Sequence, residues 1–110
     1  MDIMEMKVGD AVKLSSMFGQ RDDSHPWVEG KCYLIRTCTM TLTGRLVRVH
    51  RHELVLSDAS WIADTGRFGD AISKGVEVLR EVEPMGDVII GRGSIVDAVE
   101  WAHPLPTEQK

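Results

Sequence analysis

The stretch from Gly44 to Ser57 constrains the fold of this chain more than any other. It holds two β-forming runs, Gly44-Arg45-Leu46-Val47-Arg48-Val49 and Glu53-Leu54-Val55-Leu56-Ser57, separated by the polar His50-Arg51-His52. Two such runs around a short polar break read as a β-hairpin. Strand periodicity puts Leu54 and Leu56 on one buried face. In the first run Arg45, Val47 and Val49 share one side, and Leu46 and Arg48 share the other. Both faces therefore carry apolar side chains. That suits a strongly curved strand closing a barrel, where a flat half-exposed strand would alternate more cleanly.

The rest of the chain supplies further strands and the breaks between them. Residues 32–36 (CYLIR) form the first strong strand. Residues 37–43 continue with β-formers as strand, loop or both. Residues 76–82 read as another short strand, residues 83–87 (EPMGD) as a turn, and residues 88–90 as an apolar strand. After Gly91-Arg92-Gly93, a bulge or tight turn, Ile95, Val99 and Trp101 recur at strand parity. Near the start, Gly9-Asp10 reads as a turn before a short strand. Residues 15–30 are polar and form a loop from which Trp27 packs down. Trp27, Trp61 and Trp101 each anchor part of the core. Asp64 or Thr65 caps a short helix with Phe68 and Ile72 on its apolar face, and Gly75 ends it. Pro104 and Pro106 keep the tail out of any inner strand.

With 110 residues, 43% of them apolar, the chain makes one domain. The expected architecture is mainly β: a single β-barrel domain over 1–110, with a loop at 15–30 and a partly helical insertion at 60–85. No window is long and apolar enough for a membrane span, so no membrane partner is expected. Residues 1–13 mix charge with apolar residues and lack the apolar core of a leader. Cys32 and Cys38 are expected as free thiols in a reducing compartment, joined only if a tight turn brings them together.

Charge is unevenly placed. Thirteen Lys and Arg against 17 Asp and Glu give a formal net charge of -4, which argues against a surface that grips nucleic acid everywhere. Yet residues 30–52 contain no acid and hold Lys31, Arg36, Arg45, Arg48 and Arg51. One end or face is expected to be positive on an acidic body. Arg36, Arg45, Arg48, Arg51 and Arg92 are the candidate ligand-binding residues. Arg51 and Arg92 would meet if their loops share one end of the barrel, and a ring would gather one copy of each per subunit. Solvated arginines and ion pairs are the plainer alternative. Stacking residues for bases are scarce in the sequence, because Tyr33 is the only tyrosine and both Phe lie outside the basic stretch.

Two segments together resemble the Sm-like fold. Gly44-Arg45-Leu46 through Leu54-Val55-Leu56-Ser57-Asp58-Ala59 is similar to the first Sm signature. Val88-Ile89-Ile90-Gly91-Arg92-Gly93-Ser94-Ile95 is similar to the second. The resemblance implies a small, strongly bent Sm-like/SH3-like barrel of five strands, with a short helical insertion, assembled into a ring through its edge strands. The Asp and Asn positions of the family's base-holding turn are replaced here by His50, Arg51, His52 and Glu53, in a shorter turn. The chain as a whole also resembles a family of short proteins from tailed bacteriophages and prophages, through residues 61–68 and 91–98. That resemblance implies a viral role, in the host cytoplasm or the virion, and supplies no mechanism.

Other residue sets offer chemistry. Asp64-Thr65-Gly66 after Ile62-Ala63 is similar to the catalytic triplet of aspartic proteases, and Ile89-Ile90-Gly91 to their later apolar signature. A chain this short would have to dimerise to supply two carboxylates sharing a proton. The triplet and the later signature lie too close in sequence for a flap hairpin, and Asp64 reads better as a cap or turn residue. His50 and His52, with Cys32 and Cys38, are zinc-type ligands without a usual zinc spacing, so no metal and no cofactor are expected. The sequence thus favours a non-enzymatic, homo-oligomeric phage structural or adaptor protein acting through contacts with itself and with a phage or host protein. A ring binding nucleic acid or a small phosphorylated ligand is the alternative, and a dimeric aspartic protease a third.

Overall fold

The computed structural model describes residues 25–110. The expected strand near Gly9 and most of the 15–30 loop lie outside these residues. Five strands follow one another: β1 (Cys32–Thr37), β2 (Thr41–Val49), β3 (Glu53–Asp64), β4 (Glu81–Gly91) and β5 (Ile95–Glu100). Helix α1 (Phe68–Lys74) and a 3-10 turn (Gly75–Val78) lie between β3 and β4. The strands form one five-stranded sheet in the order β4-β3-β2-β1-β5, with every neighbouring pair antiparallel. Four strands meander and the last returns beside the first.

The sheet bends until its two edges share a core. Tyr33, Ile35, Leu42, Leu46, Leu54, Leu56 and Ala59 form the inner cluster, and Val88 and Ile90 of β4 pack on it together with Ile95 and Ala98 of β5. The bend is made by register shifts in the β2–β3 ladder between Thr43 and Arg45 and between Leu46 and Arg48. Bulges of this kind add local twist and curvature. Gly44 sits at the first of them, where a Cβ would lie 3.1 Å from Leu56 Cβ and 3.4 Å from Ala59 Cβ. Only a residue without a side chain lets the strands approach so closely. Opposite it Asp58 takes a left-handed backbone (φ 50), a conformation short polar residues tolerate. Its carboxylate accepts a 2.9 Å hydrogen bond from Arg45. The fold is thus the expected mainly β, strongly bent five-stranded barrel with a short helix.

A second cluster covers the outer face of the sheet. Leu34, Ile62, Ala71, Leu79, Val82 and Trp101 are buried there, with Phe68, Ile72 and Leu105 packed against them. Fully burying one such aliphatic side chain contributes about 1.5–3 kcal/mol. Helix α1, the 3-10 turn and the C-terminal tail therefore form a lid over β1, β3 and β4. Gly75 ends the helix at φ 84, and a Cβ there would come within 2.7 Å of the His103 ring. The glycine that stops α1 is also the one that lets the tail cross it.

Several local expectations are corrected. The insertion is narrower than 60–85, because β3 runs on to Asp64 and β4 begins at Glu81. Residues 83–87 are not a turn. They continue β4 as an irregular edge strand, in which Pro84 pairs opposite Ser60 and Gly86 takes φ 77. An edge strand tolerates a proline whose missing donor faces away from the sheet. Residues 76–78 belong to the 3-10 turn, not to a strand. Neither Asp64 nor Thr65 caps α1; Arg67 holds that position without a side-chain bond. Trp61 is 40% exposed, whereas Trp101 is 3% exposed and Trp27 packs on the inner core. Val47 is 44% exposed, because the bulge after Leu46 breaks the simple alternation of β2.

Candidate functional site

Two short connections meet at one end of the barrel. Residues 50–52 join β2 to β3, closed by a 2.8 Å bond from His50 N–H to Glu53 O. The 3-10 turn Arg92–Ser94 joins β4 to β5. Arg92 fastens the two together. Its backbone N–H donates to His52 O at 2.8 Å, and its Nη1 donates to His50 O at 2.8 Å and Arg51 O at 3.2 Å. Ser94 Oγ donates to Gly91 O at 2.8 Å and steadies the turn from within.

The two connections border an open cleft of about 490 Å³ lined by Trp27, Arg51, His52, Arg92, Gly93 and Ile95. The sequence places Arg51 and Arg92 in separate strand connections, and the fold brings them to the same cleft. Trp27 was expected as a core anchor. It does pack inward, in a T-shaped pair with Tyr33 with ring centres 5.1 Å apart, but it also lines the cleft. It is held there because residues 28–31 run beside β2: Gly30 N–H donates to Leu46 O at 2.7 Å, and Leu46 N–H donates to Lys31 O at 2.8 Å. Val28 N–H donates to the Tyr33 hydroxyl at 3.0 Å. No spacing in the sequence links Trp27 to Arg51; only the pairing of its loop with β2 does. Two arginines and a tryptophan around one cleft are residue types that suit an anionic or planar ligand.

The remaining candidate arginines lie elsewhere. Arg36 on β1 makes a two-pronged bond to Asp97 on β5, with Nε to Oδ1 at 2.8 Å, and its guanidinium lies 4.8 Å from the Phe68 ring centre. The Arg36 hydrogen bond holds the Asp97 carboxyl below its ordinary value, and Asp97 raises Arg36 in turn. Arg45 is paired with Asp58. Lys31 pairs with Glu100 at 3.4 Å. Arg48 is exposed on β2, outside the cleft and outside these pairs. The plain reading of the basic stretch, ion pairing, thus describes Arg36 and Arg45, while Arg51 and Arg92 gather at the cleft.

Asp64 ends β3. Its Oδ1 accepts from Gly66 N–H at 2.8 Å, and its carbonyl accepts from Arg80 N–H at 2.8 Å, which makes a side-chain-closed turn. Asp64 pairs with Glu81 and Gly91 pairs with Glu53, so the protease-like triplet and the later Ile-Ile-Gly sit at opposite ends of one ladder. Both cysteines are free. Among the described residues no three His, Cys, Asp or Glu side chains group as metal ligands, and no helix is long and apolar enough to cross a membrane.

No protein-family model matches the chain, and no curated protein matches it. Among solved structures it is similar to a heptameric archaeal Sm protein, at 19% identity and a TM-score of 0.46, over 64% of this chain and 85% of that one.

Proposed function

We propose that this chain is a non-enzymatic assembly module that joins copies of itself, edge strand to edge strand, into a closed ring. The supporting observation is the pair of open edges. Among the described residues no ladder joins β4 to β5, yet both edges carry exposed apolar side chains. Ile89 on β4 is 71% exposed, and Val96 and Val99 on β5 are 64% and 36% exposed. A long open edge with apolar side chains is a pairing hazard unless a partner covers it. Because the two edges differ, contact between them is head-to-tail and closes into a ring when the rotation allows. Ile89→Lys places a charge in that contact. It is expected to convert the assembly to monomers in light scattering while circular dichroism stays unchanged. An unchanged mass would remove β4 from the interface. The phage setting belongs to the same proposal and rests on the resemblance of residues 61–68 and 91–98. Head or tail genes beside its own would support a virion role, and early genes would contradict it.

The cleft favours a second reading, in which the ring binds nucleic acid or a small phosphorylated ligand at the end that carries Arg51 and Arg92. Trp27, which lines the cleft, is the aromatic residue this reading assigns to stacking. Fluorescence anisotropy with a labelled single-stranded oligonucleotide tests it. Binding that weakens as salt rises and falls in Arg51→Ala supports the reading. Binding absent at low salt, or unchanged by Arg51→Ala, contradicts it.

A further inference from the structure

The outer edge of β4 is not uniform along its length. In an antiparallel ladder, alternate residues exchange both backbone bonds with their partner, and the residues between them turn N–H and C=O to the other side. At the start of β4, Val82 is such an outward residue. Its N–H donates to Lys110 O at 3.1 Å, and its carbonyl accepts from Lys110 N–H at 3.0 Å. The next outward position is Pro84, opposite Ser60, which has no N–H to offer. At the far end, the bond from Arg92 N–H to His52 O fixes the alternation the other way. Opposite Val55 and Glu53, Ile89 and Gly91 turn their backbone groups away from β3.

The tail that reaches Val82 is anchored along its path. Trp101 Nε1 donates to Pro104 O at 3.0 Å. The His103 ring nitrogen Nε2 lies 2.8 Å from Ile72 O, and Ser60 Oγ donates to Pro106 O at 2.9 Å. Lys110 Nζ donates to Val76 O at 2.9 Å and Glu77 O at 3.3 Å. Lys110 is thereby held against both the 3-10 turn and the sheet edge.

We propose that residues 107–110, together with Pro84, seal one end of the β4 edge, so that a second copy of this chain docks its β5 only along residues 87–91. The tail then sets the register of assembly. This rests on the self-assembly reading above. On the incoming strand, the bond from Trp101 N–H to Cys32 O at 2.8 Å and the β1–β5 register leave Ala98 and Glu100 facing outward. Residues 96–100 of β5 match residues 87–91 in length.

Hydrogen exchange and native mass on three chains test this: the full chain, a chain lacking residues 107–110, and the same truncation carrying Pro84→Val. In the full chain the Val82 amide is expected to be protected at every concentration, and Ile89 and Gly91 to gain protection as the chain assembles. Truncation should speed Val82 exchange by about tenfold or more, as for an edge amide freed to open locally. Adding Pro84→Val should broaden or enlarge the oligomer. Should the truncated chain fold poorly, Lys110→Pro removes the N–H rung to Val82 O without shortening the chain and should also speed Val82 exchange. Unchanged Val82 exchange in both variants would overturn the seal. A folded double variant with the full chain's subunit number would overturn the register claim. A full chain that stays monomeric, with Ile89 and Gly91 exchanging freely, would instead overturn self-assembly and the register that depends on it, while Val82 release on truncation would still establish the seal.

Discussion

Arg51 and Arg92 share a cleft but act differently. Arg92 spends its backbone N–H and one guanidinium nitrogen on three carbonyls of the opposite turn, so it builds the site as well as lining it. Arg51 lends the site its carbonyl and leaves its side chain to the cleft. Arg92→Ala is therefore expected to cost about 1 kcal/mol in urea unfolding and to loosen residues 50–52, whereas Arg51→Ala should leave the unfolding midpoint unchanged. Equal losses for the two would refute this division. Asp97 carries a pH signature. Its folded value is lowered by the Arg36 bond, so its contribution is fully present above the ordinary Asp value and is lost as pH falls through the lowered one. The stability gap between the wild type and Asp97→Asn should shrink on acidification across that window. A gap that does not change with pH would show that the pair does not stabilise the β1–β5 contact.

The elements are governed by where strands bend and where they end. Gly44 permits the tight crossing of β2 and β3, and Gly44→Val is expected to cost about 1–3 kcal/mol through overpacking against Leu56 and Ala59. Thermal unfolding would measure it, and an unchanged midpoint would mean the strands separate at no cost. The hairpin of β2 and β3 was legible in the sequence because Leu46, Leu54 and Leu56 carry the pattern themselves, and all three are fully buried. The end of α1 was legible because Gly75 can take the backbone that stops it. The continuity of β4 through Glu83-Pro84-Met85-Gly86-Asp87 was not. Those residues have turn chemistry, and only their place at the edge of the sheet, with Pro84 facing outward, lets them remain a strand. The reach of β3 to Asp64 was hidden likewise, since Trp61 looks like a core residue yet lies 40% exposed. Within the candidate site the sequence carried the two arginines and their loops. Trp27 entered through backbone pairing of residues 28–31 with β2, a long-range contact that leaves no periodic trace.

At the scale of the whole molecule, two cores divide the work. The inner cluster fills the concave side of the bent sheet, and the outer cluster fixes the lid of helix and tail to the sheet. What neither core covers is the pair of edges. Ile89 on one side and Val96 on the other remain among the most exposed apolar side chains of the described residues, and in the proposed ring a second copy covers them. The basic cleft at one end would then be repeated once per subunit around the ring. Native mass spectrometry across a dilution series is the most direct test of this arrangement. A single discrete oligomer that persists on dilution and is lost in Ile89→Lys is the expected result. A chain that remains monomeric at high concentration, with its edges uncovered, would contradict it.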